Sequence, residues 1–195
     1  MMKNIAVFAS GTGSNFQAIY ESSKSGKLPG VIKLLVSDNP KSIAVKKAIQ
    51  NNIDHFAFSP KQYTSKKAYE QAILEILLNN EIDLIILAGY MRLIGHTLLE
   101  KYPKRIINIH PSLLPSFKGR DAVGQAMKAG VKVTGVTVHF VDEGMDTGEI
   151  IDQEPLKIKK LITRESIETE IHKIEHILYP RVIKKVLEAL QWKEH

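Results

Sequence analysis

Four short apolar runs, "IAVFA" at 5–9, "IKLLVS" at 32–37, "HFAFS" at 55–59 and "DLIILAG" at 83–89, alternate with segments of helical period. The helical segments are predicted at 15–24, 42–52 and 65–79, the last returning Tyr69, Ala72, Ile73, Ile76 and Leu77 to one face. Strands this continuously apolar have no face to offer water, so they belong in a parallel sheet covered by helices on both sides. "RIINIH" at 105–110 adds a fifth strand.

Beyond it a short helix is predicted at 121–129. The segments "VTGVTVHFV" and "EIIDQEPLKI" then read as antiparallel strands joined by the glycine-containing bend "DEGMDTG". From Thr163, read as an N-cap, a long helix follows with Ile167, Ile171, Ile174, Ile177 and Leu178 expected on one face, and Pro180 expected to kink or divide it. The fold class is therefore α/β: a doubly wound, mostly parallel sheet with antiparallel C-terminal edge strands and a C-terminal helix. No repeat or linker interrupts residues 1–195, which are read as one domain.

The chain has no cysteine, which excludes thiolate nucleophiles and disulfides, and no apolar run long enough to span a bilayer. A cytoplasmic protein without a membrane or targeting segment is expected. The formal net charge of +6 favours an anionic partner, but the lysines are dispersed and no arginine-rich arm is present. That balance suits a phosphorylated or carboxylated small substrate as well as it suits nucleic acid.

The fifth strand ends as "NIHPSLLP". Strand side chains alternate, so Asn108 and His110 share one face while Ile107 and Ile109 share the other. Pro111 holds His110 extended and stops the strand where the imidazole emerges, which is where open parallel sheets place ligands. A solvated strand end with a capping Asn is the plainer alternative.

"SGTGSN" at 10–15 follows the first strand and opens the first helix, so its backbone N–H groups can converge on an anion. It is neither a dinucleotide fingerprint, since Phe16 stands at the third glycine position, nor a Walker A loop, since no Gly-Lys-Ser/Thr follows. A monophosphate site is expected, with a simple tight turn as the alternative.

The bend "DEGMDTG" crowds Asp142, Glu143 and Asp146 where they can meet the fifth strand's end. A carboxylate beside His110 favours the imidazolium. His, Asn and Asp without Ser or Cys do not make a covalent triad; they suit oxyanion stabilisation around a nucleophile supplied by the substrate. The spacing of His110, His139 and the acids matches no metal-ligand motif, and no metal is expected.

Together "SGTGSN", "LAGYMRL", "NIHPSLLP", "TVHFVDEGMDTG" and "IEHILYP" resemble, in that order and over nearly the whole chain, the folate-dependent formyltransferase family, in its branch that formylates glycinamide ribonucleotide in purine synthesis. The resemblance implies a Rossmann-like formyltransferase fold and 10-formyltetrahydrofolate as co-substrate. It implies formyl transfer to the amine of 5-phosphoribosylglycinamide by a monomer or homodimer, without nucleic acid. Carried onto these positions, it makes Asn108, His110 and Asp146 catalytic. Gly13, Ser14 and Asn15, with His172, Lys173, Ile174 and Glu175, would bind the ribonucleotide. Lys66, Met91, Arg92, Leu93, Ile94, Asn108, Asp142, Glu143, Gly144, Met145 and Asp146 would bind the folate. Two departures stand out: Lys66 occupies a position where relatives may carry Arg, and the loop "SFKGRDAVGQAM" has no histidine.

Three rival functions remain in view. A formyltetrahydrofolate hydrolase needs the same His, Asn and Asp but no phosphate loop. A tRNA formyltransferase needs a further nucleic-acid-binding domain. A non-catalytic nucleotide-binding module gives no reason for Asn108, His110 and Asp146 to converge.

Overall fold

The computed structural model describes residues 2–158 and 163–192. Seven strands form one sheet: β1 (Lys3–Phe8), β2 (Gly30–Ser37), β3 (Asp54–Ala57), β4 (Leu84–Leu87), β5 (Ile106–His110), β6 (Val133–Phe140) and β7 (Ile150–Lys157), in the order β3-β2-β1-β4-β5-β6-β7. The first five are parallel, and β6 and β7 continue antiparallel. The helices are α1 (Ser14–Lys24), α2 (Ile43–Gln50), α3 (Lys66–Asn79), α4 (His96–Lys101), α5 (Ala122–Ala129) and α6 (Arg164–Trp192). Among the described residues no helix is long and apolar enough to cross a membrane.

Strand alternation sorts the core into two layers. Ile5 and Val7 of β1, Leu84 and Ile86 of β4, and Ile107 and Ile109 of β5 pack beneath α1, α2 and α6. Ala6, Phe8, Ile85, Leu87 and Ile106 pack beneath α3 and α4 on the other face. Asn108 and His110 follow Ile106 in parity, so they stand on the α3 and α4 side, where the helical cover ends. The expected doubly wound sheet is thus present, and its order reverses at β1, which pairs with both β2 and β4. In open parallel sheets this switch point opens a crevice at the strands' carboxyl ends.

Some local expectations change. Helix α4 and a single 3-10 turn at Pro60–Gln62 were not legible in the apolar pattern, because each is too short to show a period. Thr163 does cap α6, its hydroxyl accepting from Ser166 N–H at 3.3 Å, and Pro180 does not divide that helix. Ile177 is 70% exposed, and Ile174 is only partly buried. At 3.6 residues per turn, Ile177 lies well round from Ile167, and the buried stripe instead runs Ile167, Ile171, Glu175, Leu178, Val182 and Val186. A carboxylate thus occupies a core-facing position.

Candidate active site

The antiparallel pairing of β5 with β6 sets Asn108 opposite His139 and His110 opposite Thr137. Directly opposed residues project to the same face, so two polar pairs meet on the open side of the sheet. His139 Nδ1 donates to the Phe140 carbonyl at 2.8 Å, which leaves Nε2 facing inward. That nitrogen lies 3.2 Å from Asn108 Nδ2 and 3.6 Å from Asp146 Oδ1. It accepts from Asn108 when the ring is neutral and donates to Asp146 when the ring carries a second proton.

Asp146 reaches this place from the loop between β6 and β7, with its backbone in the left-handed region at φ 53°. The loop is closed by Asp142, whose Oδ1 accepts from Thr147 Oγ1 at 2.7 Å and from the Gly144 amide at 3.1 Å. Asp146 Oδ2 lies 3.4 Å from His110 Nδ1 and accepts from Gly119 N–H at 2.7 Å. Asn108 Nδ2 approaches Oδ1 at 3.5 Å. Burial opposes charge on Asp146, but hydrogen bonding with His139 and the Gly119 amide, together with the His110 charge, outweighs it. The carboxyl consequently titrates below its ordinary 3.8. His110 Nε2 in turn donates to the Phe117 carbonyl at 2.8 Å. Phe117 and Gly119 both have positive φ, so the 116–121 loop turns its backbone onto this cluster.

At the other end, Gly13 caps α1 in the left-handed conformation at φ 65°, and no side chain takes the helix's first N–H groups. A Cβ on Gly13 would lie 3.0 Å from Ala44 Cα and Cβ, so the chain approaches α2 closely here. Asn15 is 9% exposed; its Nδ2 donates to Glu175 Oε2 at 2.9 Å. Among the described residues its buried Oδ1 has no hydrogen-bond partner. Burial pushes the Glu175 carboxyl above its ordinary value, with the Asn15 hydrogen bond and the His172 charge working the other way.

A cleft of about 880 Å³ joins the two ends. Residues 13–15, 91–94, 108, 110, 142, 144–146, 172 and 175 line it. Lys66, Glu143, Lys173 and Ile174 are not among its lining residues. Lys66 lies 3.8 Å from buried Glu70, Glu143 meets His96 at the surface, and Lys173 pairs with Glu170 at 2.7 Å. Ile174 packs against the core. The sequence reading missed His139 as a partner of the carboxylate, although Thr137 and His139 repeat the i, i+2 polar pattern of Asn108 and His110. It also missed the Phe117 carbonyl and Gly119 amide, backbone groups that carry no side-chain signature.

The sequence matches the family described as Formyl transferase over residues 3–183. It is 57% identical over 186 residues to the phosphoribosylglycinamide formyltransferase of Bacillus subtilis (strain 168), covering 95% of each chain. It is 38% identical to the trifunctional purine biosynthetic protein adenosine-3 of Drosophila melanogaster, covering 93% of this chain and 14% of that one. The crystal structure of glycinamide ribonucleotide transformylase 1 from Geobacillus kaustophilus superposes with a TM-score of 0.94 at 54% identity, covering 96% of this chain and all of that one.

Proposed function

The chain belongs to the formyl transferase family, and we propose that it transfers the formyl group of 10-formyltetrahydrofolate to the amine of 5-phosphoribosylglycinamide in de novo purine (IMP) biosynthesis, as a single domain in the cytoplasm. The observation that carries this reading is the cleft itself. One end holds an imidazole, an amide and a charged carboxylate, and the other holds an open, glycine-capped helix N-terminus. The first suits acyl transfer, the second a phosphate.

The ribonucleotide phosphate sits on the N–H groups at residues 13–15, and Glu175 with Asn15 addresses the sugar beyond it. Residues 91–94 and 142–146 flank the folate. With both bound, the amine nitrogen attacks the formyl carbon, and the carbonyl electrons move onto oxygen. Asn108 Nδ2 and His110 Nε2 donate to that oxyanion, with the formyl oxygen replacing the Phe117 carbonyl as acceptor for His110. Asp146 holds the ring from its Nδ1 side, 3.4 Å away, and helps carry the proton released from the amine. Collapse restores the carbonyl, breaks the bond to folate N10, and leaves N10 protonated.

The test mixes the protein with 10-formyltetrahydrofolate and follows its absorbance with and without the ribonucleotide. Loss of the formyl donor only when the ribonucleotide is present supports transfer. Equal loss without it would identify a hydrolase instead.

A further inference from the structure

The loops at 10–15 and 89–94 come from different strands, yet both line the cleft. One carboxylate lies between them. Asp38 follows β2, and its side chain is only 7% exposed. Its Oδ2 accepts from Arg92 Nε at 2.8 Å, and its Oδ1 accepts from Ser10 Oγ. Ser10 Oγ accepts in turn from Met91 N–H at 2.9 Å, and Ser10 N–H donates to the Gly89 carbonyl at 3.1 Å. Asn39, the next residue, donates through Nδ2 to the Ser10 carbonyl at 3.4 Å. Asp38 therefore holds the 89–94 loop by two routes, a direct ion pair to Arg92 and a hydroxyl relay to the Met91 amide. The second route passes through the residue that begins the phosphate loop.

Nothing in the catalytic cluster requires this arrangement, since Asp38 does not line the cleft. Its effect is geometric. Arg92 has a flexible stem and a side chain 47% exposed, so without a fixed acceptor it would sample many rotamers. Gly89 at φ 76° makes the adjoining backbone equally free to turn. Tyr90 packs edge-on against Phe8 with ring centroids 5.2 Å apart, which leaves Met91 and Arg92 as the parts of the loop that Asp38 must hold.

We propose that Asp38 is a positioning residue, setting the register of the 89–94 loop against the 10–15 loop so that the folate half of the cleft is preformed. This rests on the assignment of residues 91–94 to the folate. Preorganisation of this kind acts on binding rather than on the chemical step.

The experiment compares Asp38→Asn, Asp38→Glu, Ser10→Ala and Asp38→Asn/Ser10→Ala with the unaltered protein. It measures calorimetric binding of 10-formyltetrahydrofolate in the absence of acceptor, steady-state constants for both substrates, and thermal unfolding. Asp38→Asn is expected to weaken folate binding roughly 10-fold, the difference between a charged and a neutral hydrogen bond. Its kcat should change less than about threefold, and the ribonucleotide KM should rise less than the folate constant. Asp38→Glu should recover part of the affinity. Ser10→Ala should show a smaller loss, and the double variant should lose less than the sum of the two single losses, because both arms share one carboxylate. Folate binding unchanged in Asp38→Asn, or in Ser10→Ala should Asp38→Asn not fold, overturns the proposal. So does a loss confined to kcat. An unaltered protein that binds no folate would overturn the functional reading, and this inference with it.

Discussion

Asp146 Oδ2 lies 3.4 Å from His110 Nδ1 while the same oxygen accepts the Gly119 amide at 2.7 Å. One carboxylate oxygen thus ties the imidazole of β5 to the backbone of the 116–121 loop. Asp146, the proposed proton-handling carboxylate, therefore also bears on the local order of that loop.

Asp146→Asn is expected to lower kcat by roughly 10²- to 10⁴-fold, the usual worth of a positioned acid-base group, with both KM values changed little. Steady-state kinetics on the folded variant check this, and a loss below about 10-fold would make Asp146 a turn residue. Its stability signature is also signed. The carboxyl's folded value is depressed, so its contribution is present above the ordinary 3.8 and disappears as pH falls through the lower folded value. Unfolding midpoints of the two proteins should therefore differ at pH 6 and converge in strong acid.

Gly13→Val should raise the KM for the ribonucleotide far more than that for the folate. The new side chain must hold a left-handed backbone, at roughly 1–2 kcal/mol, and press on Ala44. The displaced N–H groups are those assigned to the phosphate. Equal effects on the two substrates would remove that assignment.

Lys66→Ala tests a residue placed at the folate by resemblance but outside the cleft lining. Lys66 is paired with buried Glu70, whose carboxylate also accepts the Gly95 amide at 2.7 Å. The expected rise in folate KM is at most about fivefold, the limit of a 0.2–1 kcal/mol exposed pair, and it should grow at low salt. A large fall in kcat would instead tie Lys66 to the chemistry.

Glu175→Gln should weaken ribonucleotide binding and yet stabilise the fold near neutrality. Burial raises the folded carboxyl's pKa above the ordinary 4.5. The wild-type carboxylate therefore costs stability increasingly as pH rises from the unfolded value through the folded one. Melting temperatures across pH 4 to 8 should show the variant's advantage growing with pH. An advantage that shrinks as pH rises would show that the carboxylate is well accommodated.

The alternation of apolar strands with helical segments determined the sheet, because a strand apolar on both faces has only one kind of stable surroundings. Alternation also determined that Asn108 and His110 share a face, and the strand-glycine-helix order placed Gly13 at an open helix end. These are local consequences of backbone geometry. Register and loop paths were decided only by tertiary structure. His139 joins the cluster because β6 pairs with β5 antiparallel and sets it opposite Asn108, a choice among registers that no local pattern makes. Glu175 lies in the core stripe, and Ile177 outside it, because α6 rotates to bury Tyr179, Val182 and Val186. Lys66, whose position suggested a ligand, pairs with Glu70 beside Gly95, because a buried carboxylate draws a cation wherever the fold brings one within reach.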